Sequence, residues 1–373
     1  MPTLNRIHSE HVGSLLRPPS LLRATEQHDA GELGLTALRA ARDNAIIGVI
    51  EKQKNIGVDV LTDGEYRRTG FITGFMDAVD GFVPRSVPVQ SWRGSWRGGT
   101  GTEVESPNLR VVGARLRARD RIAAGEAAIL REHADRPFKI TVPGPMMIPM
   151  VGWVDGVTDA FYTDRAELAR DAAAIIAEEI RLLGEQGVGY LQIDSPSYTH
   201  WGDPELVRKM HSAGVNSDEL LTSAIAGDNI ALDAAQSDVV TAVHLCRGNS
   251  MGRWLADGGY EPLAERLFSE LRCQRFLLEY DSERAGGFEP LRFMPASKTV
   301  VLGLISSKTG LLESRDDLLA RIDEASKYVP VERLALSPQC GFASSGRGNP
   351  ITEDEQWRKL ELVVSIADEV WPS

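Results

Sequence analysis

Four side chains in the second half of the chain are of types that together hold a metal: His244, Cys246, Glu279 and Cys340. His244 and Cys246 stand two apart, so on an extended strand both leave the same face. Two sulfurs, an imidazole nitrogen and a carboxylate oxygen form a borderline-soft set suited to tetrahedral zinc. Two thiolates and a carboxylate would leave such a site net negative. That makes a poor Lewis acid but a good seat for an incoming thiol, whose pKa falls while its sulfur stays nucleophilic. Hydrolytic zinc sites more often use histidine and carboxylate ligands, and neither His-x-His nor His-Glu-x-x-His occurs here. Each residue alone has a plainer reading, as a small buried hydrophobe or a hydrogen-bonded core histidine, and only their convergence points to metal.

The elements that would bring them together are short apolar, β-rich runs alternating with helical patterns, the signature of parallel strands with crossover helices. Eight such runs are expected, over 6–14, 58–65, 138–145, 189–195, 239–246, 275–281, 299–306 and 333–340. Eight strands, with no Gly-x-Gly-x-x-Gly turn after the first, fit an α/β fold of the (β/α)8 TIM-barrel type better than an open doubly wound sheet. The expected organisation is one catalytic domain over 1–373.

In such a barrel the C-terminal strand ends face the active site. His244 and Cys246 close the fifth run, Glu279 the sixth and Cys340 the eighth, whereas Cys273 precedes its strand and is expected to be structural. Glu65 and Asp194 also lie at strand ends, after two echoing segments, Gly57-Val58-Asp59-Val60-Leu61-Thr62-Asp63 and Gly187-Val188-Gly189-Tyr190-Leu191-Gln192-Ile193-Asp194. Before the second echo, Asp164 and Glu167 are spaced as a capping box, Leu168, Ala172, Ile175, Ile176, Ile180 and Leu183 share one helical face, and Gly184 and Gly187 are expected to stop the helix. Another helix is expected over 316–328, acidic at its start and ended by Pro330. The crossover at about 66–137, after the second strand, is far longer than a usual connection. Within it, 84–107 carries Trp92 and Trp96 beside Arg93 and Arg97, and reads either as a lid over the barrel mouth or as a surface excursion or subunit contact.

Composition narrows the classes. The chain has 373 residues, 42% hydrophobic and 25% charged, with a formal net charge of −12. Such a balance suits a globular protein and repels a polyanionic backbone, so nucleic acid is not an expected partner. No apolar stretch approaches membrane-spanning length, residues 1–10 lack the apolar core of a signal peptide, and three cysteines make no disulfide framework. A cytoplasmic location is expected, with oligomeric state left open.

Ile7 to Pro18 (with His11-Val12-Gly13-Ser14), Asp63-Gly64-Glu65, Gln192-Ile193-Asp194, His244-Leu245-Cys246, Leu278-Glu279 and Ser337-Pro338-Gln339-Cys340-Gly341 resemble, in order and over nearly the whole chain, the catalytic half of cobalamin-independent methionine synthase. Cys246-Arg247-Gly248-Asn249 and the stretch 278–291 resemble its short, single-barrel relatives. The resemblance implies His244, Cys246, Glu279 and Cys340 as ligands of Zn2+. It also implies Glu65 and Asp194 as site acids holding the ammonium of homocysteine, with the Ser14 hydroxyl and backbone near Gly13 taking its carboxylate. An α-ammonium in a closed site does need carboxylate partners. The alternative reading of the two acids is a salt bridge with Arg67, Arg68 or another cation.

The chain is expected to depart from the long members of that family in having no second, N-terminal barrel. Where they carry a histidine near the end of the seventh strand, it reads Leu304-Ile305-Ser306-Ser307-Lys308. The resemblance therefore implies zinc-dependent methyl transfer from a folate-type or other small donor to homocysteine. A related branch, the epoxyalkane:coenzyme M transferases, opens an epoxide with a sulfonated thiol at the same motif, and Arg67, Arg68 and Arg247 could suit its sulfonate. A metal-free decarboxylase of the uroporphyrinogen type shares the barrel but leaves the two cysteines unexplained, and a zinc-binding scaffold would have no use for Glu65 and Asp194.

Overall fold

The structure is a computed structural model and describes residues 6–84, 96–98 and 110–372. An antiparallel ribbon, β1 (Val79–Pro84) and β2 (Arg110–Ala118), precedes a parallel sheet of six strands paired in chain order: β3 (Ile140–Pro143), β4 (Tyr190–Asp194), β5 (Val240–Leu245), β6 (Arg275–Glu279), β7 (Thr299–Ile305) and β8 (Leu334–Pro338). These six coincide with the last six expected runs, trimmed at their ends. Every residue of β3, β4, β6 and β8 is buried, as expected of parallel strands covered on both faces.

The first two expected runs form single bridges instead of strands. Ser9 bridges Leu336 on the outer side of β8, Leu61 bridges Phe138 just before β3, and the Asp59 amide donates to the Ser9 carbonyl (3.0 Å). A buried cluster of Ile7, Val12, Val60, Tyr190, Ala242, Leu277, Val301 and Ala335 draws on both bridging segments and on β4 to β8.

The helices follow from local chemistry. The helix Arg165–Glu185 starts where the Asp164 carboxylate accepts from the Glu167 amide (2.7 Å), a contact worth about 1 kcal/mol. The expected capping box is only half formed, because the Glu167 carboxylate accepts from the Thr163 amide and hydroxyl instead. Its buried face holds Leu168, Ala172, Ile176, Ile180 and Leu183, while Ile175 is only half-buried. Gly184 lies inside this helix and does not stop it; Gly187, with φ +84°, turns the chain after it. The helix Arg315–Ser326 starts one residue before its expected position, capped by Ser314. Between β6 and β7 the chain makes only short 3-10 turns, so the alternation lapses there.

Within the long crossover lie β1, β2 and the helix Ala124–His133. Of the tryptophan-rich stretch, Trp92 and Arg93 fall outside the described residues. Arg97 bridges Trp254 and forms ion pairs with Asp203 (3.2 Å) and Glu205 (3.1 Å). This places residues 96–98 against the loop that follows β5. No helix among the described residues is long and apolar enough to cross a membrane.

Candidate active site

Strand geometry assembles three of the four expected ligands. His244 lies in β5, Cys246 directly follows it and Cys340 lies two residues past β8. Their ligand atoms all fall within 4.8 Å of one another, the two sulfurs are 3.7 Å apart, and all three residues are buried. Among the described residues no nitrogen or oxygen reaches either ring nitrogen of His244, whose close neighbour is the Cys340 sulfur. A buried polar atom without a partner costs about 1–3 kcal/mol, which a shared cation would offset.

The sulfurs are close enough to share one proton. This contact pulls the Cys340 thiol well below its usual value, helped by His244, and pushes Cys246 well above, with burial adding to the rise. Burial disfavours the His244 imidazolium, but the Cys340 sulfur and Asp194 carboxylate outweigh it and leave its pKa raised.

Glu279 is not part of that tight group. Its Oε2 accepts from the Arg247 amide, while its Oε1, without a hydrogen bond, is 3.6 Å from both Lys308 Nζ and Arg284 Nη2. The residues present fit a metal ion: two sulfurs, an imidazole beside them and a buried carboxylate whose Oε1 accepts no hydrogen bond among the described residues. Cys273 lies outside the cluster and is simply buried, its thiol pushed up to about 12 by desolvation.

The two acids lie beside this centre. Asp194 ends β4 and pairs in register with His244. It accepts from Gln192 Nε2 (2.7 Å), and burial, with the Glu65 and Cys340 charges adding against His244, raises its carboxyl to about 7. Glu65 accepts from Thr141 Oγ1 (3.0 Å). Its backbone takes φ +59°, a left-handed conformation that non-glycine residues rarely adopt. The Glu65 carbonyl, accepting from Arg17 Nη2 (3.0 Å) and from the Arg68 amide, fixes that turn. Among the described residues neither carboxylate forms an ion pair.

Arg67 and Arg68 pair elsewhere. Arg67 binds Asp43 (2.5 Å), and Arg68 forms a two-pronged contact with Glu126 (both 2.8 Å). Arg247 donates to the carbonyls of Gly258 and Glu279 and stacks on Tyr260. The expectation that these three could grip a sulfonate is thus not supported, since each is already engaged. Ser14 and Gly13 are at the site: a Cβ on Gly13 would meet Glu65 Oε1 at 2.4 Å, and one on Gly341 would meet Ser14 Oγ at 1.9 Å. Both glycines are needed for close approach.

Two residues to which the sequence reading gave no role belong here. Arg17 braces the Glu65 turn, and Lys308, past the end of β7, sits beside Glu279. The strand-end rule that picks out Glu279 was the available signal for Lys308.

Residues 9–368 match the family model described as cobalamin-independent synthase, catalytic domain. The uncharacterised protein YxjH of Bacillus subtilis is 35% identical over 97% of this chain and 94% of its own. A methionine synthase of Pyrococcus horikoshii is 24% identical over 89% of this chain and 85% of its own. The structure of a B12-independent methionine synthase from Shewanella, solved with selenomethionine, overlays with a TM-score of 0.75 at 21% identity, covering 98% of this chain and 97% of that one.

Proposed function

Since the chain belongs to the cobalamin-independent synthase catalytic-domain family, we propose that it transfers a methyl group from a folate-type or other small donor to the sulfur of homocysteine, giving methionine. The observation that carries this reading is a buried His-Cys-Cys group beside two buried carboxylates that form no ion pair among the described residues. In this reading His244, Cys246, Cys340 and Glu279 would hold zinc. Zinc bound there would lower the pKa of the incoming thiol and keep its sulfur nucleophilic at neutral pH.

The chain's own groups do the rest. Glu65 and Asp194 take the α-ammonium; the Ser14 hydroxyl and backbone near Gly13 take the carboxylate. Burial strengthens both contacts and holds the sulfur in one place. The thiol gives up its proton to solvent, its sulfur forms the bond to the methyl carbon, and the electron pair of the broken methyl bond leaves with the donor's carrier, which takes up a proton from solvent. The same reading takes 1–373 as one (β/α)8 barrel, its sheet closed through Ser9 and Leu61 around the inner cluster and elaborated at about 66–137.

X-ray absorption on the zinc-loaded protein tests this. Addition of L-homocysteine should add a sulfur to the metal shell, whereas coenzyme M, with no ammonium for Glu65 and Asp194, should not. The reverse pattern would overturn methionine synthesis in favour of epoxide opening.

A further inference from the structure

Lys308 carries a charge that its surroundings leave without a hydrogen bond. Its side chain is 5% exposed, its Nζ has no hydrogen-bond partner, and its ion pair with Glu279 Oε1 spans 3.6 Å. Arg284 reaches the same oxygen at 3.6 Å but also meets Asp281 (3.4 Å) and stacks on Trp254. The backbone around Lys308 is pinned: Gln339 Nε2 donates to Ser307 Oγ (3.0 Å), Asn349 Nδ2 to the Ser307 carbonyl (2.6 Å), and the Lys308 amide to Ser306 Oγ (3.3 Å). A buried ammonium held this firmly and this poorly satisfied is costly unless an anion joins it. Its neighbour Glu279 accepts in turn from the amide of Arg247, the residue next to Cys246, which places the Lys308 ammonium at the edge of the sulfur group.

We propose that Lys308 is a specificity-determining residue: its ammonium is the counter-charge to the sulfur of the bound amino acid, favouring the ionised thiol of the substrate over the neutral thioether of the product. This inference rests on the reading of the site as one that methylates homocysteine. Homocysteine and methionine carry the same ammonium and carboxylate, so Glu65, Asp194 and Ser14 discriminate weakly between them. The charge on sulfur is what alkylation removes, and a fixed cation in a water-poor site senses that loss. Lys308 thereby helps the thiol in and lets the product go.

The experiment titrates the metal-loaded full chain with L-homocysteine and, separately, with L-methionine, following heat, and measures bound metal. Lys308→Met should weaken homocysteine about tenfold or more while leaving methionine within about twofold and the metal in place. Lys308→Arg should restore most of the homocysteine affinity, and Lys308→Gln is the second variant should the apolar one not fold. Equal weakening of both amino acids, unchanged homocysteine binding, or loss of metal from the neutral variants each overturns the proposal in favour of a purely structural lysine. If the unaltered protein takes up neither amino acid, the methylation reading itself falls, an outcome separate from any behaviour of Lys308.

Discussion

Glu65→Gln tests the acceptor site most directly, because it removes one negative charge and almost no volume. Glu65 is buried, accepts from Thr141 Oγ1 at 3.0 Å and has no cation partner among the described residues. The amide oxygen of glutamine can keep the threonine contact. What is lost is a charge-assisted hydrogen bond to the substrate ammonium, worth about 1–3 kcal/mol. Part of that loss returns through Asp194. Its carboxyl sits at about 7 chiefly because of burial but also because Glu65 repels it, so the variant leaves more of Asp194 ionised at neutral pH. The expected net weakening of L-homocysteine is therefore in the lower half of that range, roughly 5- to 30-fold. Without substrate the variant should be as stable as the parent or more so, since a buried unpaired carboxylate is gone. Calorimetric titration, thermal melting and metal analysis read the three quantities separately. Unchanged homocysteine affinity, or a variant that is markedly destabilised, would refute the assignment of Glu65 to the ammonium.

Cys340→Ser should lose most of the bound metal by elemental analysis, whereas Cys273→Ser, distant from the cluster, should keep it; equal behaviour of the two cysteines would sink the metal assignment. Gly13→Ala drives a methyl to 2.4 Å from Glu65 Oε1 and 3.1 Å from Thr141 Cγ2, so Glu65 must move, and homocysteine affinity should fall by about 1–3 kcal/mol with metal retained. Asp228 is fully buried, accepts from Ser195 and Tyr198, and has its carboxyl raised by desolvation to about 7 from 3.8. Because the unfolded chain loses this proton first, the raised carboxyl destabilises the fold as pH rises from about 4 to about 7, by up to roughly 4 kcal/mol. Asp228→Asn should flatten that decline in urea unfolding near pH 5 and pH 7.5, and a parallel decline in both proteins would contradict it.

How much of this was legible in the sequence depended on whether a rule of direction applied. His244 and Cys246 could be placed because alternation on a strand fixes where side chains point, and Cys340 because the end of the eighth strand must share their rim. The same reasoning excluded Cys273. It failed for the first two strands, where the chain turns sooner than the apolar pattern suggests: Gly64 and Glu65 both take positive φ, and only the neighbourhoods of Ser9 and Leu61 pair with the sheet. For Arg67 and Arg68 the sequence displayed the cations but not their partners. Asp43 and Glu126 lie 24 and 58 residues away, and only the folded chain brings them together.

The largest feature hidden from the sequence lies beneath Asp194. Lys139 Nζ donates to Glu10 Oε2 (2.7 Å) and Gln192 Oε1 (2.8 Å), while Arg275 (2.9 Å) and the Tyr190 hydroxyl (3.0 Å) also hold the Glu10 carboxylate. These groups come from four separate segments, so no local pattern announces them. Together they explain why strands that otherwise read as core carry charge. The lysine fixes which end of the Gln192 amide is oxygen, and its Nε2 must then face the Val12 carbonyl (2.8 Å) and Asp194 Oδ1 (2.7 Å). A donor locked in that direction favours the ionised carboxylate and orients it. Burial pushes Asp194 towards neutrality while the network beneath supports its charge. A carboxylate so balanced is poised to ionise when an ammonium arrives, which ties the charged interior of the sheet to the amino-acid binding proposed at its rim.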